Sequence, residues 1–312
     1  MIAGSGFSGN LFLRFFSQSI TIAPRRFFMK RIHFVLLLFL LSGSLLLSGC
    51  SASDAPQLKV SVIDVKHGDC IVLQSPEGQT MMIDTGNGSY NAQSAIGDTL
   101  EQLNIQHLDS LILTHPDKDH IGGVSWVLEN YDVTAVYTTA RSKDTDLYRS
   151  VQTAIEQEGS TYLFLSKGDR FQFGSVDVSV LSPYDAEDEK NVNNASLVLQ
   201  FTYGQNRLLF MGDAEDKIEK ALVKEYGDSL RSTFLKLGHH GIDVASSKFL
   251  NAVQPKIVVI SKDDDSGYED KKLKKQQAAY ENIAQIGSAL YRTDLNGTMH
   301  FSFFSDGAYT TP

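Results

Sequence analysis

The sequence predicts an α+β fold in which two mixed β-sheets pack face to face with helices outside them. Two observations lead there. Short apolar runs rich in β-branched residues, separated by turn residues, recur as hairpins early in the chain and again in its middle. After each hairpin region, strand-like runs alternate with segments of helical spacing, and no sequence repeat links the two halves. Two facing sheets would bury that much apolar strand.

In chain order, residues 1–28 precede a good signal start at Met29 and read as an over-extended amino terminus. Met29-Lys30-Arg31 is basic, residues 34–47 are apolar, and the run ends in Leu47-Ser48-Gly49-Cys50. Residues 29–50 therefore resemble a bacterial lipoprotein signal, with Cys50 lipidated and first in the mature protein. Residues 32–49 are also about long enough to span a bilayer; the Leu-Ser-Gly-Cys ending favours the lipoprotein. This reading predicts a protein lipid-anchored to the cell membrane on its extracytoplasmic face. Residues 51–57 are then a tether, and 58–312 a domain of ordinary size.

Five of the 28 Lys/Arg and none of the 37 Asp/Glu fall in residues 1–49, which leaves a formal charge of −14 beyond them. A field of that sign opposes nonspecific binding to polyanions. Cys50 and Cys70 are the only cysteines. With Cys50 acylated, Cys70 is an ordinary buried strand thiol.

Residues 58–65 read as a strand, and 70–74 with 80–83 as a hairpin about the turn 75–78. Residues 92–103 read as a helix with Ile96, Leu100 and Leu103 on one face. Then come a strand at 110–113, a helix at 123–129, a strand at 133–138, a helix at 147–157 and a strand at 162–165. Residues 171–181 turn at Gly174-Ser175, and 185–194 read as an acidic loop. A second hairpin, 197–203 and 207–211, precedes a helix at 216–226 and a strand at 234–237. Ser246-Ser247 caps a short helix through Val253. A strand at 257–260, a charged helix at 271–286 and strands at 290–292 and 299–304 close the chain.

Five polar clusters each follow an apolar strand: Asp84, the run from His115 to His120, residues 193–196, Asp213, and His239-His240. Imidazole and carboxylate bind divalent ions through N and O. The density of donors suggests two ions rather than one, because one ion is usually satisfied by three or four protein groups. No GxSxG occurs and Cys70 lacks a paired histidine, so no rival nucleophile presents itself. His67, His107 and His300 read as surface or packing histidines.

These clusters resemble the metallo-β-lactamase-fold hydrolases, and among them the C-terminal domain of ComEC-type competence proteins. The likeness rests on Asp64-Val65 with Gly68-Asp69, Asp84-Thr85-Gly86, the HxDxDHIGG run and Asn193 with Ser196. It extends through Gly212-Asp213-Ala214-Glu215, Lys236-Leu237-Gly238-His239-His240-Gly241 and Tyr291-Arg292-Thr293-Asp294 with Gly297. It implies a four-layer αββα sandwich. It also implies that His115 and Asp117 hold a first metal, Asp119 and His120 a second, and that Asp213 bridges them. His240 is the expected last ligand of the second metal, with His239 facing substrate or protonating the leaving group; the opposite order stays open. Asp84 is expected to orient a ligand from outside, and Asn193 to complete the first site weakly. Asp117 stands where many relatives have histidine, and no histidine occurs from Ile121 to Gly238. A single ion therefore stays open beside two, Zn2+ or Mn2+ are the expected ions, and the carboxylate shifts the first site toward Mn2+ or Mg2+.

The chemistry so implied is hydrolysis by a water whose pKa a divalent ion lowers to roughly seven, with Asp119 or Asp213 orienting it. The expected substrate is a phosphodiester, DNA by the resemblance, with cell-wall or small-molecule diesters as the alternative. A binding lipoprotein that keeps the fold without catalysis is the rival of another class. No protein partner can be read from the sequence.

Overall fold

A computed structural model describes residues 55–184, 190–264 and 269–312. The signal segment with Cys50, residues 51–54 of the tether and residues 185–189 of the acidic loop lie outside the described residues. Residues 55–312 form one compact unit. Among the described residues, no helix is long and apolar enough to cross a membrane.

The chain begins with β1 (Gln57–Val62), β2 (Ile71–Gln74) and β3 (Thr80–Ile83), then α1 (Tyr90–Gln102) and β4 (His107–Leu113). The short helix α2 (Lys118–Ile121) leads into α3 (Val124–Asn130), β5 (Asp132–Thr138), α4 (Asp146–Glu158) and β6 (Thr161–Phe164). The second half starts with β7 (Arg170–Phe173), β8 (Val176–Ser182), β9 (Val198–Tyr203) and β10 (Asn206–Phe210). It continues through α5 (Asp216–Tyr226), β11 (Phe234–Lys236), α6 (Ser247–Val253), β12 (Ile257–Ile260) and α7 (Asp270–Gln285). β13 (Ala289–Arg292), α8 (Thr293–Asn296), β14 (Met299–Phe304) and β15 (Tyr309–Thr310) finish the fold.

Eight strands form one sheet in the order β15-β14-β1-β2-β3-β4-β5-β6, and seven form the other as β13-β12-β11-β10-β9-β8-β7. In each, hairpin strands pair antiparallel and the strands joined through helices pair parallel. This is the expected mixed architecture. Leu58, Val60, Phe201, Phe210, Phe234, Phe301 and Phe303 fill the space between the sheets. Ile96, Leu100 and Val127 cover the outer face of the first sheet, and Ile218, Leu222, Phe249 and Ile283 that of the second. Strands buried on both faces read as unbroken apolar runs rather than alternating ones, which is why β12, Ile-Val-Val-Ile, was legible. Ser246 caps α6 by accepting from the Phe249 N–H. Tyr309–Thr310 carries no strand signal of its own; it pairs with β14 only through the closing turn.

Phe234 is fully buried and its ring lies 5.3–5.8 Å from those of Phe210, Phe301 and Phe303. Truncation to alanine leaves a cavity that the three surrounding rigid rings cannot close. Phe234→Ala should cost about 3–5 kcal/mol, read as a lower urea midpoint with an unchanged slope.

Candidate metal centre

The parallel strands of both sheets deliver their carboxyl ends to one edge. β3 leads into Asp84, β4 into Thr114 and His115, β10 into Asp213, β11 into His239-His240, and β12 into Ser261. Ligand sites in α/β sheets lie at such strand ends.

Close backbone approach brings the loops together. Gly68 has φ 126°, and a Cβ there would lie 2.2 Å from the Asp119 carbonyl oxygen. The Asp69 N–H donates to that same carbonyl at 3.2 Å, and the Gly86 N–H donates to the Asp69 carbonyl at 2.8 Å. The loop before β2 is thus strapped across Asp119.

One ligand atom from each of Asp119, His120, Asp213 and His240 lies within 4.8 Å of all the others. His240 Nε2 is 3.2 Å from Asp119 Oδ2 and 3.7 Å from Asp213 Oδ2. His120 Nε2 is 3.3 Å from Asp213 Oδ1. Atoms bound to one ion at roughly 2.0–2.2 Å lie about 3.0–3.6 Å apart at right-angled to tetrahedral geometry, so the shorter edges match a coordination polyhedron. The imidazoles are also turned correctly. His120 Nδ1 donates to Asp84 Oδ2 at 2.7 Å, and His240 Nδ1 to the Ser261 carbonyl at 2.8 Å. Each therefore presents the lone pair of Nε2 to the cluster. His120 Nε2, His115 Nε2 and Asp213 Oδ1 are buried without a hydrogen-bond partner. Groups of this kind are rare unless something binds them, and the donor set fits a divalent ion.

Burial and the neighbouring His120 push the His115 imidazole down. For His120, burial works downward as well, but Asp213 and Asp84 outweigh it and hold the ring well above its ordinary value. His240 is likewise raised to about 9, because Asp213 and Asp119 overcome burial. The same attraction, against burial, keeps the Asp119 and Asp213 carboxyls well below the usual range. The carboxylates thus stabilise positive charge placed among them, on the imidazoles or on a bound cation.

The other expected site residues lie around this quartet. His115 is buried, with Nε2 3.9 Å from Asp213 Oδ2. Asp117 lies outside the quartet, and its Oδ1 accepts from Lys143 Nζ at 2.8 Å. His239 faces away from the quartet toward Glu215, Nδ1 to Oε1 at 3.3 Å. The Asn193 amide donates to the same Glu215 oxygen at 3.0 Å and lies 3.3 Å from His239 Nε2.

Three residues without an expected role also lie here. His67, read as a surface or packing histidine, has Nε2 3.3 Å from Asp119 Oδ2 and its ring 5.3 Å from that of His240. Its place beside Gly68-Asp69 was the available signal. Glu215, two positions after Asp213, was legible by the same proximity. Lys143 lies 26 residues from Asp117 and left no local signal. A cavity of about 590 Å³ beside the quartet is lined by His67, Ser89, Lys118 and Asp119 among others.

Residues 63–261 match the Metallo-beta-lactamase superfamily. The chain is 32% identical over 253 residues to Competence protein ComA of Neisseria gonorrhoeae, covering 80% of this chain and 33% of that one. It is 28% identical over 270 residues to ComE operon protein 3 of Bacillus subtilis, covering 81% and 34%. It thus spans about a third of the length of these relatives. Among solved structures, CmlA, a diiron beta-hydroxylase from Streptomyces venezuelae, superposes with TM-score 0.52 at 13% identity, over 80% of this chain and 54% of that one. YhfI from Bacillus subtilis, a metallo-beta-lactamase fold protein, does so with TM-score 0.51 at 12% identity, over 82% and 100%. Both share the fold.

Asp84 is the outer support of His120. Asp84→Asn puts an amide against donors and should weaken Mn2+ or Zn2+ binding about ten- to hundredfold, measured by calorimetric titration.

Proposed function

The chain belongs to the metallo-β-lactamase superfamily, and from that premise we propose that it is a divalent-metal-dependent phosphodiesterase acting on nucleic acid. We further propose that it is held at the extracytoplasmic face of the membrane by lipid on Cys50. The observation that carries the catalytic reading is the quartet Asp119, His120, Asp213 and His240, with each imidazole Nε2 freed by a fixed partner on Nδ1. The nucleic-acid reading is supported by likeness to two proteins named for competence.

His120, His240, Asp119 and Asp213 would hold the ion, and His115 adds a donor beside Asp213. A divalent ion there supplies Lewis acidity, lowering the pKa of a water and neutralising phosphoryl charge. Asp119, at 19% side-chain exposure the most open of the quartet, orients the attacking water. The water gives a proton to the Asp119 carboxylate, and its oxygen bonds to phosphorus as the bond to the leaving oxygen breaks. His239, a quarter exposed and with Nδ1 3.3 Å from Glu215 Oε1, donates a proton to that leaving oxygen. His67 and Lys118 line the cavity that receives the substrate. With −14 formal charge beyond residue 49, binding of a polyanion depends on local cations such as Lys118.

The full chain, loaded with Mn2+ or Zn2+, should cleave DNA, and Asp213→Asn should abolish cleavage. His239→Ala should lower kcat about 10²–10⁴-fold, the range for a lost general acid, while metal content stays unchanged. Release from cell-wall polymers with DNA left intact would replace the nucleic-acid assignment. Inactivity on every diester despite bound metal would make the protein a binder. For the anchor, Cys50→Ser should move the protein from the membrane to the soluble fraction of fractionated cells; unchanged fractionation would refute lipidation there.

A further inference from the structure

The quartet accounts for one ion. Three or four protein groups usually satisfy a divalent ion, and Asp119, His120, Asp213 and His240 already converge within 4.8 Å. The donors expected for a second ion are arranged differently. His115 Nε2 is available, 3.9 Å from Asp213 Oδ2. Asp117, the nearest carboxylate in sequence, is engaged by the Lys143 ammonium at 2.8 Å. Asn193 directs its amide to Glu215 and His239. Among the described residues, no group of three donors gathers around His115.

We propose that the centre takes a single divalent ion, on the quartet, and that the Lys143 ammonium, held by Asp117, is the second cation of the site. The proposal rests on the metal-dependent reading above and adds the number of ions and the residue that replaces one. A lysine ammonium is a compact point charge with three N–H donors. Bound to Asp117, it offsets one carboxylate of an acidic cluster and keeps donors free for a phosphoryl oxygen. That is the charge-neutralising part of what a second metal does in paired sites.

Lys143 is placed for this. Its carbonyl accepts from the Thr145 N–H at 3.0 Å, and the Thr145 hydroxyl caps α4 by accepting from the Tyr148 N–H at 3.2 Å. The backbone that carries the ammonium is therefore fixed by a helix start. The Lys143 and Asp117 side chains are 37% and 27% exposed, so the pair is in contact with solvent. An ion pair that exposed adds little to stability, so its effect is on the charge of the site.

Mn2+ binding to the full chain, followed by calorimetry and electron paramagnetic resonance, tests this. The wild type should bind one ion per chain with an uncoupled mononuclear spectrum. Asp117→Asn should bind it with Kd changed less than threefold, whereas Asp119→Asn should weaken it at least tenfold. Lys143→Ala should admit a second ion, seen as two per chain and an exchange-coupled signal, and Lys143→Arg should stay at one. Two ions in the wild type, or loss of the ion in Asp117→Asn, would overturn the proposal. So would a Lys143→Ala variant that stays at one ion. A wild type that binds none would instead overturn the metal-dependent reading itself.

Discussion

The Asp84 carboxylate is fully buried, on a residue held in the left-handed region at φ 58°. Its oxygens accept from the Thr114 N–H at 2.8 Å, the Thr114 hydroxyl at 2.7 Å and His120 Nδ1 at 2.7 Å. A buried carboxylate is tolerated only when it is so completely hydrogen-bonded. The consequence reaches two imidazoles. His120 must keep its proton on Nδ1, which leaves Nε2 as a donor to the cluster. The Thr114 hydroxyl, its hydrogen given to Asp84, can only accept from His115 Nδ1, 3.2 Å away. One carboxylate at the end of β3 thereby sets the proton positions on both histidines that follow β4.

A second buried charge joins the two sheets. Lys236 ends β11 and donates to Asp69 Oδ2 at 2.7 Å, with both side chains at most 2% exposed. Apolar residues of the same volume could fill that space with little loss of stability. What the ion pair adds is position. Asp69 is bonded through its backbone to Asp119 and Gly86, and β11 leads directly to His240. The pair therefore fixes the span between ligands that belong to different sheets.

Around this frame the charges divide into three groups. The quartet gathers carboxylates that raise His120 and His240 and is the candidate metal centre. His239, Glu215 and Asn193 form a separate hydrogen-bonded set. Lys143 and Asp117 form a third. Residues adjacent in sequence, His239 and His240 or Asp117 and Asp119, belong to different groups. Both histidines have positive φ, 42° and 51°, and their rings lie 6.4 Å apart.

The strand and helix pattern, the mixed sheets and the clustering of donors at strand ends follow from local sequence, because apolar periodicity and turn residues act over a few positions. Helix 216–226 and strands 80–83, 257–260 and 299–304 can be placed from their residues alone, and the donor types at 115–120, 213 and 239–240 announce metal chemistry. Which donors share an ion is a matter of distances between loops on different sheets, and no spacing along the chain encodes it. His67 enters the site because Gly68 lets its loop lie against Asp119; Asp117 is taken by a lysine 26 residues away. Both outcomes depend on contacts made only when the two sheets have packed. The sequence by itself determined the chemistry available, and the tertiary structure decided which groups carry it.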